Sequence, residues 1–325
     1  MKAAVYTRQG PARDVLGLVE LPTPQPGPGE VLVRIHASGV NPSDVKSRSG
    51  IVGRAQAFPT ITPHSDGAGV VESVGEGVDP RRIGERVWLW NGQWRRAQGT
   101  AASHIAIPAD QAVPLLDTVD FATGACFGIP LLTAVHAVNL SAVGPGDWLL
   151  VTGGAGAVAH YAIQVAAARG VNVIATASGN EKGAQAVAAG AKTWINYREE
   201  DVGSRVAELT GGAGVDSLID LDLTANAGLS PVTLRPHGRL IVYGMSSNDP
   251  VIPGRWLLQN NITIALFLVY ELSAEDRSKA LLDIADLLDR GALQHRIAAT
   301  FPLEEIVSAH ELVEGGALGN VIVTP

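Results

Sequence analysis

The chain has 325 residues, 46% apolar, 17% charged and 5% aromatic, too apolar for a disordered chain and long enough for about two domains. Its 24 basic and 32 acidic side chains leave a formal charge of −8, which gives no general attraction to nucleic acid or to an anionic membrane. The single cysteine, Cys126, excludes an intrachain disulfide and a cysteine-rich zinc site.

The opening residues, MKAAVYTRQG, lack the long apolar core of a signal peptide. Short runs rich in Val, Ile and aromatics follow at Ala3–Tyr6, Val31–His36, Gly69–Val74, Arg86–Trp90 and Ser103–Ile107. Gly and Pro clusters such as Pro26-Gly-Pro-Gly29 and Gly75-Glu-Gly77 punctuate them. Residues 1–124 are therefore predicted to form a rolled-up, mostly antiparallel β domain. The composition shifts near residue 124. The most apolar stretch, Ala125–Val143, is interrupted by Gly128, Pro130, His136 and Asn139, which makes it a poor membrane span. The expectation is a soluble, cytoplasmic protein.

From 125 to 269, apolar runs alternate with helix-period segments. The runs are Trp148–Thr152, Val171–Thr176, Lys192–Ile195, Val215–Leu221, Arg239–Tyr243 and Ile262–Phe267, with Val158–Arg169, Glu181–Ala189 and Val202–Leu209 between them. Buried parallel strands read as continuous apolar runs joined by crossover helices, so this region predicts a doubly wound α/β sheet. Ser273-Ala-Glu-Asp276 resembles a helix cap, with Ala280, Leu281, Ile284, Leu287 and Leu288 at helical spacing behind it. Leu303–Glu314 reads as a second helix and Val321–Val323 as a last strand.

The segment Val151-Thr-Gly-Gly-Ala-Gly-Ala-Val-Ala159 follows a strand and opens an amphipathic helix. A dinucleotide loop needs that context: a tight turn, a backbone close to the pyrophosphate, and free helix N–H groups. Gly153, Gly156, Ala157 and Val158 are the candidate contacts, and Ala159 fills the last position of the spacing. NAD binders place a carboxylate at the end of the second strand to hold the ribose. Here that strand runs out through Ala175-Thr-Ala-Ser-Gly-Asn180, and Lys182 follows Glu181. Small polar residues and a lysine suit a 2′-phosphate, so the expected cofactor is NADPH.

At this point the chain resembles the medium-chain dehydrogenase/reductase superfamily, in its zinc-free quinone oxidoreductase (zeta-crystallin-like) branch. The resemblance is collinear over nearly the whole length. It runs through Gly39-Val-Asn-Pro-Ser-Asp44 with Arg48-Ser-Gly50, Ser65-Asp-Gly-Ala-Gly-Val-Val-Glu72 and Gly84-Glu-Arg-Val87. It continues through Gly128-Ile-Pro-Leu-Leu-Thr-Ala134, the glycine loop, Ile195-Asn-Tyr-Arg198, Gly238-Arg-Leu-Ile-Val-Tyr-Gly244 and the tail from Leu303 to Val323. It implies a Rossmann domain (125–269) inserted in a GroES-like β-rich domain (1–124, completed by 270–325), an active site in the cleft, and a homodimer or homotetramer.

The resemblance also assigns positions. Asn41 stands where zinc-dependent relatives carry a cysteine ligand. Their Gly-His-Glu motif aligns on His64-Ser65-Asp66, which puts Ser65 in the ligand slot and leaves His64 as a turn residue beside Pro63. No metal is expected. Thr133 matches the threonine near the nicotinamide. Ser178, Lys182 and Tyr197 match residues around the adenosine phosphate. Gly244, Ser246, Leu268 and Val269 match the nicotinamide side, and Asn320 stands where many relatives have a basic residue.

Without a metal, hydrogen-bond donors must stabilise the oxygen of a quinone or conjugated carbonyl as it accepts a hydride. The Asn41 amide is the leading donor and Asp44 an orienting or proton-relaying group, although Asn41-Pro42 also reads as a turn pair and Asp44 as a helix cap. Lys46, which replaces a tyrosine common in relatives, and Ser65 are further substrate candidates. Trp88 joins them as part of the cluster with Trp90 and Trp94, which walls a pocket or covers a loop against the core. Three functions remain open: an NADPH-dependent quinone reductase, an NADPH-dependent reductase of α,β-unsaturated carbonyls, and a non-catalytic NADPH-binding protein of crystallin or RNA-associated type.

Overall fold

The computed structural model describes residues 1–51 and 55–325. Two compact units emerge, Met1–Ile129 with His295–Pro325, and Pro130–Gln294. The sequence placed these divisions at 124/125 and 269/270.

The first unit is built on strand β3 (Glu30–Val40). Val31, Val33 and Ile35 alternate inward along it to a core shared with Val71, Val87, Leu89, Ile105 and Ile107, the period-two pattern of a half-buried strand. Arg34, on the opposite face, pairs with Glu72 at 2.7 Å. Strand β4 (Asp66–Val74) runs antiparallel along β3, and β5 (Arg86–Leu89) and β7 (Ala112–Pro114) extend the sheet beyond it. The other edge of β3 is shared. Its first half takes β6 (His104–Pro108) and its second half takes β15 (Asn320–Thr324), which is parallel to β14 (Ile297–Pro302). A separate antiparallel pair joins β1 (Lys2–Val5) to β2 (Gly17–Glu20). A second apolar cluster seats the helix Ile306–Glu314, with Ile306 and Ala309 packing against Ala4, Val40, Val321 and Val323.

The second unit is a six-stranded parallel sheet, with β8 (Trp148–Val151), β9 (Asn172–Ala177), β10 (Thr193–Asn196), β11 (Val215–Asp220), β12 (Leu234–Val242) and β13 (Thr263–Leu266). Their order, β10-β9-β8-β11-β12-β13, is that of a Rossmann sheet, with its topological switch between β8 and β11. The α/β class, with a Rossmann sheet inserted in a GroES-like β-rich unit, is as the sequence predicts. The helix Leu132–Ser141 was not anticipated. Eight of its ten residues are buried, Leu132 to Val138 and Ser141, and a helix buried on all sides carries no amphipathic period. The helix Ala274–Asp289 falls in this unit because Asp283 accepts from Asn139 at 2.7 Å and lies 3.6 Å from Arg169. None of the described helices is long and apolar enough to cross a membrane.

Candidate functional site

In the second unit the predicted dinucleotide residues gather at the carboxyl ends of β8, β9 and β12. Strand β8 ends at Val151, and the chain turns through Gly153 at φ +64°, a left-handed conformation that favours glycine. Gly154 is wedged between the second strand and its helix: a Cβ there would lie 2.7 Å from Ala175 Cβ and 3.0 Å from Ala186 Cβ. Gly156 is the N-cap of the helix Ala157–Ala168, and no side chain caps it. The first-turn N–H groups, including those of Ala157 and Val158, therefore remain available to an anion.

Strand β9 ends at Ala177 and passes through half-buried Ser178 into the helix Asn180–Ala188. Ser178 and Gly179 bring no carboxylate to the turn itself, and Glu181 stands exposed in the first turn of the helix. Lys182, half-buried, lies in the helix's first turn, and Tyr197 at the end of β10 is 51% exposed. Thr133 Oγ1 is buried without a hydrogen-bond partner among the described residues, an orphan donor suited to a bound polar group. Gly244 lies so close to β11 that a Cβ would meet Leu221 O at 2.2 Å. Ser246 donates from N and Oγ to Asp222 Oδ1 at 2.9 and 3.1 Å, so its hydroxyl is already tied to the fold. Leu268 is exposed and Val269 buried, and the buried Arg277 donates to the carbonyls of Val269 and Tyr270 at 3.2 Å.

In the first unit Asn41 ends the β3 segment and caps the helix Pro42–Ser49. Its backbone N–H donates to Asp44 Oδ2 at 2.8 Å, and its Nδ2 donates to Asp66 Oδ2 at 2.8 Å. All three side chains are buried. Burial pushes Asp44 up to about 7, with hydrogen bonds from Asn41 pulling the other way. Burial also holds Asp66 well above the usual carboxylate range; Asn41 opposes this, and the nearby Asp44 adds to it. Two buried carboxyls bonded to one residue resist double ionisation. Lys46 lies partly exposed on the same helix, with no carboxylate in ion-pair range among the described residues.

Ser65 is buried immediately before Asp66, its backbone carbonyl accepting from Gly92 N–H at 2.9 Å. Trp88 is 1% exposed, its ring edge-on to Phe127 with centroids 5.8 Å apart. It lies on the face of β5 opposite Val87 and Leu89, which enter the sheet's core, and is buried there against Phe127 rather than exposed as a pocket wall. Asn320 is buried, its Nδ2 donating to Arg296 O at 3.0 Å. His64 is more than a turn residue. At φ 75° it is fully buried, with Nε2 2.9 Å from His310 Nε2 and Nδ1 2.8 Å from Ser38 Oγ.

Sequence reasoning aligned Asp66 only with a lost zinc ligand and passed over His310, Ser38, Thr100 and Arg277. The adjacency of Asp66 to Ser65 was the one local signal for any of them. Among the described residues no group of three or more His, Cys, Asp or Glu could hold a metal ion.

Comparison with known proteins adds independent findings. Residues 27–117 match the family model described as "Alcohol dehydrogenase GroES-like domain", and residues 157–286 match "Zinc-binding dehydrogenase". The chain is 32% identical over 305 residues to quinone oxidoreductase of Rattus norvegicus, covering 92% of this chain and 90% of that one. It is 30% identical over 342 residues to 2-haloacrylate reductase of a Burkholderia species, covering 100% and 99%. A mycobacterial protein solved in complex with NADPH superposes with a TM-score of 0.89 at 29% identity, over the full length of both chains.

Proposed function

The chain belongs to the medium-chain dehydrogenase/reductase superfamily, in its quinone oxidoreductase branch, and from that premise we propose that it is a zinc-independent NADPH:quinone reductase. The observation that carries the cofactor reading is the end of β9, where Ser178 and the first-turn Lys182 stand in place of a carboxylate. A lysine there favours a 2′-phosphate and an acid would repel it. The orphan Thr133 Oγ1, the uncapped helix behind Gly156 and the wedged Gly154 fit a dinucleotide as well. The NADPH complex of the mycobacterial neighbour supports the same choice.

When bound, NADPH supplies the hydride. The chain's own residues do the rest. The Gly153–Val158 segment holds the pyrophosphate through backbone N–H groups, and Lys182, Ser178 and Tyr197 hold the adenosine phosphate. Thr133, with the backbone at Gly244, Leu268 and Val269, orients the nicotinamide. Asn41 donates to the substrate oxygen as negative charge develops on it, and Asp44, near neutrality in its proton affinity, relays a proton. Neither Asn41 nor Ser65 supplies a zinc ligand at its aligned position, which supports chemistry without that metal. The edge strand β13, with Leu266 54% exposed, supports pairing of two copies along open backbone groups; light scattering at the mass of a monomer would refute that pairing.

The test is oxidation of NADPH by small ortho- and para-quinones. Turnover supports the reading; a folded protein that binds NADPH and reduces none of them overturns it. A second reading, reduction of an activated alkene, is favoured by one observation. Lys46, on the Asn41 helix, has no carboxylate in ion-pair range among the described residues, a match for a carboxylate-bearing substrate such as the 2-haloacrylate of the Burkholderia relative. Faster NADPH oxidation with 2-chloroacrylate than with quinones would select it.

A further inference from the structure

A buried chain of polar side chains in the first unit converges on Asp66, and its proton order can be worked out link by link. Thr100 Oγ1 donates to the backbone carbonyl of Asp66. A hydroxyl has one proton, so Ser38 Oγ, 2.8 Å away, must donate to Thr100. Ser38 then accepts from His64 Nδ1–H at 2.8 Å. His64 Nε2 is left without a proton and accepts from His310 Nε2–H at 2.9 Å. His310 Nδ1 carries no proton and has no partner among the described residues. Every donor points toward Asp66. Burial keeps both rings neutral, lowering His64 to about 3 and His310 well below its usual range, so the order is not scrambled at neutral pH.

The chain ends on the Asp66 backbone carbonyl, and the same residue's carboxyl faces Asn41. Oδ2 accepts from Asn41 Nδ2 at 2.8 Å. Oδ1 turns toward Gly128, where a Cβ would lie 2.4 Å away, and is buried without a hydrogen-bond partner among the described residues; the nearby Ile129 N–H favours the charged form, against the larger effect of burial. Of the two carboxyl oxygens only Oδ2 has a hydrogen-bond partner among the described residues, so an amide in its place can set an N–H against Asn41 Nδ2, donor facing donor.

We propose that Asp66 is a positioning residue for Asn41. Its carboxyl takes one Nδ2–H, so that the amide presents its other N–H, and not its oxygen, to the substrate oxygen. This rests on the reductase reading above, in which Asn41 is the donor. The four-residue chain from His310 fixes the Asp66 backbone, and Asp66 in turn fixes which face of the amide is offered.

Asp66→Asn keeps the volume and removes one acceptor. Thr100→Val keeps the shape and cuts the link to the Asp66 carbonyl. In the quinone assay Asp66→Asn is expected to lower kcat about 100-fold, as loss of one oxyanion donor does, with KM for NADPH changed less than about two-fold. Thr100→Val should lower kcat several-fold in the same pattern. A readout free of turnover uses 4-nitrophenol, whose phenolate absorbance reports how strongly the site favours an oxyanion. Bound to the wild type, the phenol should ionise at lower pH than in solution. Bound to Asp66→Asn, it should lose about a tenfold share of that preference.

A folded Asp66→Asn with kcat within three-fold of wild type, or with KM for NADPH rising in step, overturns the proposal. So does a wild type that leaves the phenol's ionisation at its free value. If Asp66→Asn does not fold, an unchanged Thr100→Val overturns it equally. A wild type that reduces no acceptor refutes the reductase reading, while an Asp66-dependent change in the phenol would still support the positioning role.

Discussion

Two glycines two residues apart, Gly154 and Gly156, should separate stability from cofactor binding when each is changed to alanine. At Gly154 the added methyl would sit 2.7 Å from Ala175 Cβ and 3.0 Å from Ala186 Cβ. Both obstacles are Cβ atoms fixed to their backbones, one on β9 and one on the helix Asn180–Ala188, so neither can swing aside. Reaching ordinary contact needs several tenths of an ångström of movement at each, and overpacking of this kind costs about 1–3 kcal/mol. For a unit of this size that corresponds to a fall in Tm of roughly 2–12 °C. At Gly156 the backbone is extended, at φ −71° and ψ 156°, and the nearest atom to an added Cβ is Gly153 O at 3.3 Å. Gly156→Ala should therefore cost only about 1 kcal/mol or less in stability, the difference between glycine and alanine at an N-cap. Its methyl would nonetheless occupy the surface on which the pyrophosphate is expected to lie, so NADPH affinity should fall by about tenfold or more. Differential scanning calorimetry and fluorescence titration with NADPH read the two effects. Equal Tm losses for the two variants, or unchanged NADPH affinity in Gly156→Ala, would refute the reasoning.

Three further outcomes follow from the same geometry. Lys182→Ala should raise KM for NADPH and leave that for NADH unchanged. A charge-assisted hydrogen bond contributes about 1.5–3 kcal/mol, but Lys182 is only half-buried, so screening places the loss near ~10-fold; an equal change for both coenzymes would count against the assignment. Asp44→Asn should make the protein less tolerant of acid. Asp44, raised to about 7 from 3.8, stabilises the fold increasingly as pH falls between those values, whereas His64, lowered to about 3 from 6.5, destabilises it as pH falls from 6.5. The two oppose each other in the wild type, and removing Asp44 should expose a loss on the order of 3 kcal/mol between pH 6.5 and 4, measured by urea unfolding; a parallel pH profile would contradict it. Prolonged dialysis against a chelator should leave quinone reduction unchanged, and stoichiometric zinc with loss of activity would contradict the metal-free chemistry.

Much of the fold was legible because its periods are local. The continuous apolar runs at Trp148–Val151, Asn172–Ala177 and Val215–Asp220 are buried on both faces, and β3 alternates as a half-exposed strand should. The helix Leu132–Ser141 escaped because it is buried around nearly its whole circumference and so shows no amphipathic period. The helix Ala274–Asp289 was read correctly as a helix, but its unit is decided by Asp283 meeting Asn139, 144 residues earlier, which no local pattern encodes. The site divides in the same way. The glycine loop and the lysine after β9 are contiguous motifs. The Asn41–Asp66 bond spans 25 residues and the His64–His310 contact 246, so only folding brings those groups together. Trp88 shows the converse limit: an aromatic in a cluster reads alike as pocket wall or core, and burial places it in the core.

Coenzyme choice tests the reductase reading at its root. Measured with 1,4-benzoquinone as acceptor, kcat/KM should favour NADPH over NADH by about tenfold or more, the worth of one charge-assisted contact to the extra phosphate. Equal efficiency with the two coenzymes, or a preference for NADH, would contradict it.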